Sequence, residues 1–93
     1  MESPARGPAK RTVYEDETTK AMCINFAAGQ AVPPCTMVSL CYFYVVKGAG
    51  WLEYGGQEYP LAAGTLAVVP PGAERAIKAE SDLVLLAVQV NQR

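Results

Sequence analysis

Sulfur crowds into one short run of a chain that contains no histidine. The run is PPCTMVSLCYFYVV, Pro33 to Val46, and it sets Cys35, Met37 and Cys41 among strand-forming residues. Thiolate and thioether are soft donors suited to Cu(I), and thiolates also hold Zn(II). The same three residues also read as reactive thiols, or as compact hydrophobes filling a core. Without histidine no Ser-His-Asp or Cys-His arrangement is available, and no Walker-type phosphate loop is present. Any chemistry therefore rests on sulfur and on charge.

Positioning decides among these readings. Residues two apart on a strand share a face and lie about 6.5–7 Å apart along it, so Cys35 and Met37 face one cavity. Cys41 has the same parity, but six residues of extended strand span about 20 Å. The three sulfurs meet only where the chain reverses around Val38-Ser39-Leu40, a triplet without the glycine or proline that favours a turn.

The surrounding elements read as strand, turn, strand. Thr12–Tyr14 and Ala21–Phe26 are rich in β-branched and aromatic residues. Gly29 and then Pro33-Pro34 punctuate the chain before the sulfur run. Trp51–Tyr54 and Gln57–Leu61 form the arms of a hairpin, with Gly55-Gly56 supplying the positive φ angles of a two-residue turn. Thr65–Val69, stopped by Pro70-Pro71-Gly72, and then Arg75–Ala79 and Leu83–Val90 complete the set. No apolar set repeats at helical spacing. Many short strands separated by turn signals predict an all-β sandwich or barrel.

The punctuation also matches a known pattern. Gly29 is followed by five residues, then Cys35, Thr36, Met37, three residues, Cys41, six residues and Gly48. Gly64 is followed by five residues, then Pro70, one residue, Gly72, two residues and Arg75. These are the spacings of the two motifs of the cupin family, which the chain resembles from about Ala21 to Val90. The resemblance implies a double-stranded β-helix, or jelly-roll barrel, and with it the turn near Val38-Ser39-Leu40. In most members of that family the barrel holds a divalent metal, with His, His and Glu from the first motif and His from the second. Here Cys35, Met37, Cys41 and Arg75 stand at those four places, and Ala79 stands where an Asn often ends the second motif. The imidazole and carboxylate set that suits Fe(II), Mn(II) or Ni(II) is absent.

Arg75 then becomes informative. A guanidinium keeps its proton and is no metal ligand, but it is a fork for carboxylate or phosphate and favours a neighbouring thiolate. The favoured expectation is a non-enzymatic or weakly catalytic barrel that holds a small, anionic ligand without cofactor, anchored by Arg75 and lined by Cys35, Met37, Cys41 and Phe43. One alternative is a copper or zinc protein using Cys35, Met37 and Cys41; another is a purely structural barrel. The plain alternative for Arg75 is a surface pair with Glu74 or Glu80. Cys23 matches no motif position and reads as structural.

Length and charge bound the rest. A chain of 93 residues supports one domain, expected over residues 12–93 behind a mobile tail of residues 1–11. So small a domain hides only about 60–65% of its unfolded surface, which favours an oligomer, and the family resemblance implies a homodimer. Tyr42, Tyr44 and Val46 have the parity opposite to Cys41, so they form an outer face suited to a subunit interface. Leu83–Val88 is apolar throughout, which predicts cover on both sides of that strand. Trp51, Tyr54 and Tyr59 read as packing residues. A net charge of −1 gives no general grip on nucleic acid. No stretch reads as a signal peptide or as a membrane helix of about 20 apolar residues, so a cytoplasmic protein with reduced cysteines is expected.

Overall fold

The computed structural model describes residues 8–91, and among them nine strands follow one another without a helix. They are β1 (Ala9–Glu15), β2 (Thr19–Phe26), β3 (Ala31–Thr36), β4 (Leu40–Lys47), β5 (Ala49–Tyr54), β6 (Gln57–Ala62), β7 (Leu66–Val69), β8 (Glu74–Ala79) and β9 (Leu83–Val90). A five-stranded sheet runs β1-β2-β9-β4-β7 and a four-stranded sheet runs β3-β8-β5-β6. All the pairings are antiparallel. The two sheets form the all-β jelly roll that the turn spacing and the motifs predict.

Alternation builds the core. Met22, Ile24 and Phe26 of β2, Cys41, Phe43 and Val45 of β4, and Leu83, Leu85 and Ala87 of β9 all turn inward. Leu52, Leu61, Ile77 and Ala79 meet them from the four-stranded sheet. Tyr42, Tyr44 and Val46 face outward, as their parity predicts.

Turn chemistry sets the register. Gly55 and Gly56 have φ of 65° and 79°, which closes the β5–β6 hairpin in two residues as expected. Asp16 shapes the β1–β2 connection by accepting the Thr18 and Thr19 backbone N–H groups at 3.0 and 2.9 Å and the Tyr14 hydroxyl at 2.7 Å. These hydrogen bonds, that of Tyr14 foremost, hold its carboxyl below the ordinary range.

Gly48, between β4 and β5, is required for two reasons. Its φ is +94°, and a Cβ there would fall on the Asp82 carbonyl oxygen and 2.8 Å from the Leu83 Cα.

Two elements depart from the sequence-based expectation. β1 begins at Ala9 rather than Thr12, so Ala9–Arg11 of the expected tail are paired with β2, and residues 1–7 lie outside the described residues. β1 is exposed at every position, so no burial period marks its start. Pro33 and Pro34 do not end a strand but lie inside β3. They are tolerated because β3 is an edge of its sheet and its pairing with β8 shifts register between Val32 and Cys35. The opposite edge, β6, carries Pro60. No described helix is long and apolar enough to cross a membrane.

Candidate functional site

Arg75 holds the place of a core residue. It shares the inward register of β8 with Ile77 and Ala79, and only 6% of it is exposed. Its guanidinium carbon lies 5.7 Å from the centre of the Phe43 ring on the opposite sheet. That distance is within cation–π range, an attraction that strengthens as water is excluded. Nη1 is buried with no hydrogen-bond partner among the described residues. Glu74 and Glu80 are both exposed, so the surface pair considered for Arg75 does not account for its position.

The sulfur residues separate. The chain turns from the four-stranded to the five-stranded sheet through Met37, Val38 and Ser39, close to where the motif resemblance implies a reversal. Cys41 is fully buried beside Phe43 in the inward register, and its thiol donates to the Ser39 carbonyl at 3.7 Å. Met37 is half-buried in the connection, and its sulfur accepts the Gln89 side-chain amide at 3.7 Å. Cys35 is the cross-strand partner of Arg75 but is exposed, because β3 is an edge strand. Arg75 and Phe43 thus meet in the interior, Cys41 lies buried two residues from Phe43 along β4, and Cys35 stands at the rim. Among the described residues no three of His, Cys, Asp and Glu stand together as metal-holding groups do.

A groove of ≈ 530 Å³ opens beside Arg75. Tyr54, its cross-strand neighbour on β5, lines the groove with Pro34, Ala73 and the Gly55-Gly56 turn. Glu53 and Glu74 stand at its wet side. A second hollow, ≈ 340 Å³, lies between the β6 and β7 edges and shares Tyr54, which packs at 5.6 Å from the Tyr59 ring.

Tyr54 and Gln89 are the site residues that sequence reasoning missed. Gln89 had a signal: it is the one amide in the inward register of β9, otherwise Leu83, Leu85 and Ala87. Tyr54 had none, because only the β5–β8 register sets it beside Arg75.

Exposure orders the thiols. Ellman's reagent is expected to titrate Cys35 fast, Cys23 more slowly and Cys41 only after denaturation, since their surroundings run from exposed to half-buried to buried. The fast phase should vanish in C35S; a fast phase that remains would contradict the placement of Cys35.

The family model described as "Cupin domain" matches residues 27–89. Among solved structures, TT1209 from Thermus thermophilus is 27% identical with a TM-score of 0.86, the match taking in 94% of this chain and 86% of that one. KdgF from Halomonas sp. is 23% identical with a TM-score of 0.86, covering 99% and 87%. A cupin superfamily protein from Desulfitobacterium hafniense DCB-2 is 14% identical with a TM-score of 0.89, covering 99% and 84%. Among curated proteins none matches the chain.

Proposed function

The chain belongs to the cupin domain family, and from that premise we propose that it is a small barrel that binds a small anion through Arg75 without a metal. The observation that carries this reading is the buried, unpartnered Nη1 of Arg75. A buried donor left without an acceptor costs about 1–3 kcal/mol, and more when it is charged. A carboxylate or phosphate entering from the groove beside Tyr54 supplies acceptor and countercharge together. The exposed Glu53 and Glu74 at that groove favour a compact anion, which reaches the guanidinium without lying along their side.

The residues at the four motif positions do not fit a metal of the kind cupins hold. A guanidinium takes the fourth place, Cys35 stands at the rim, and the Cys41 thiol is already engaged with Ser39. Copper or zinc bound near one equivalent per chain after purification without chelators would replace this reading with the soft-metal one. The filled interior around Cys41, Val45, Val69 and Leu85 favours a second reading, a purely structural barrel.

Thermal melting against a panel of formate, acetate, benzoate and phosphate separates the two, with chloride at matched ionic strength as control. At about a hundred times its dissociation constant a bound anion adds about 2.7 kcal/mol, which raises the melting temperature by roughly 10 °C or more for a domain of this size. A panel indistinguishable from chloride leaves only the structural barrel.

A further inference from the structure

Cys35 and Arg75 stand directly opposite each other on β3 and β8. Opposed residues of an antiparallel pair share one face of the sheet, with Cβ atoms about 4.5–5.5 Å apart. The thiol therefore lies on the same side as the guanidinium, and it is exposed because β3 is an edge. An exposed cysteine by itself marks nothing. This one has for its neighbour a cation that is only 6% exposed and carries a nitrogen without a hydrogen-bond partner among the described residues. The thiol does not fill that need, because neutral sulfur is a weak acceptor.

Nor do the other groups around the pair. Glu74 precedes Arg75 on β8 and opposes Thr36, so its carboxylate lies on the other face of the sheet. Tyr54 opposes Arg75 from β5 and packs on the Tyr59 ring. Of the remaining thiols, Cys41 is buried and donates to the Ser39 carbonyl, and Cys23 is half-buried in the five-stranded sheet.

We propose that Cys35 is an oxidation site whose product is held by Arg75. The oxidant is a peroxide. The thiol sulfur attacks the O–O bond and takes one oxygen, and the other oxygen leaves as water; the product is a sulfenic acid. A second peroxide adds a second oxygen and releases a second water, giving the sulfinic acid. That acid yields its proton to solvent and becomes an anion with two acceptor oxygens, each one S–O bond beyond the thiol. It gives Nη1 an acceptor and the guanidinium a countercharge. Exposure selects Cys35 over Cys23 and Cys41 for this chemistry.

The proposal deepens the reading of Arg75 as an anion anchor and rests on it for its consequence. A sulfinate tethered beside the guanidinium competes with any free carboxylate or phosphate, so oxidation closes the site. The exposed Glu53 and Glu74 do not oppose it, because the peroxide arrives small and uncharged and the anion forms in place.

Aspartate at position 35 puts a carboxylate where the sulfinate would stand, which tests the pairing without oxidant. C35N is the neutral control for shape and strand propensity. C35D is expected to melt roughly 5–10 °C above C35N and to ignore the anion panel. In the R75M background the two should melt together. Treated with a few equivalents of hydrogen peroxide, the wild type should gain two oxygens, placed at Cys35 by fragment mass spectra. It should then melt higher and lose its response to the panel, whereas R75M oxidised at the same residue should gain no stability. C35D no more stable than C35N, or favoured equally in R75M, overturns the proposal, as does a sulfinate at Cys35 that leaves melting unchanged. The anion reading fails separately: a panel that acts on the wild type no more than chloride removes the free-anion site, while an Arg75-dependent gain in C35D still supports the oxidised pair.

Discussion

Replacing Arg75 by methionine is expected to make the protein more heat-stable and deaf to anions. The side chain sits in the inward register with 94% of its surface hidden, by subtraction from its 6% exposure. One of its nitrogens has no acceptor, and its described compensation is the face of Phe43. Breaking a buried ion pair is strongly destabilising, but here no partner charge is left behind when the guanidinium goes. Exchanging a poorly compensated buried charge for an apolar group of similar length is then neutral or favourable, by about 1–2 kcal/mol or roughly 4–15 °C. Methionine also keeps contact with the Phe43 ring through its sulfur. Alanine is the less informative variant, because the hole it leaves costs stability by itself.

Two melting series decide the matter, one without anion and one with the panel that stabilises the wild type. A methionine variant that still responds to those anions removes Arg75 as the anchor. One that loses several kcal/mol without any anion shows instead that the guanidinium holds the barrel together. The combination expected, higher stability and lost response, is what a residue retained for binding gives.

Gly48→Ala should have the largest effect on folding. A residue with a Cβ at φ of +94° is strained by about 1–2 kcal/mol. The added carbon would also occupy the place of the Asp82 carbonyl oxygen, which is backbone and does not swing aside. Moving that segment disturbs two contacts, the Ala28 N–H on the Asp82 carboxylate at 3.0 Å and the Glu80 N–H on the Ala49 carbonyl at 3.0 Å.

Together these terms come to about 3–5 kcal/mol, a large share of the ~5–14 kcal/mol available to a domain of this length. The melting temperature should fall by roughly 15–30 °C, or the protein should fail to accumulate. Gly64→Ala is the control: its φ is +91°, but nothing lies within 4 Å of the added carbon, so only the backbone strain is incurred. Equal losses at the two glycines would mean that close packing against Asp82 does not matter.

The all-β class was legible because glycine and proline mark nearly every turn, and Gly55-Gly56 marks one by its conformation alone. The interior place of Arg75 was legible only through the motif position it fills; its parity with Ile77 and Ala79 agrees with that place, although a charged residue in a six-residue strand invites a surface reading. The rim position of Cys35 was not. Parity groups it with Met37, but exposure depends on β3 being an edge, and strand order is a long-range property. The same holds for the start of β1, whose lysine and arginine look like a tail until β2 pairs with them. Pro33-Pro34 misled for the opposite reason: a local rule about strand ends gives way at an edge whose outer side needs no partner.

Those prolines have a consequence for crowding. Both borders of the four-stranded sheet, β3 with Pro33 and Pro34 and β6 with Pro60, lack amide protons that a passing strand would need in order to zip alongside. This half of the barrel is therefore a poor template for fibrils, even at concentrations that drive other small β proteins out of solution.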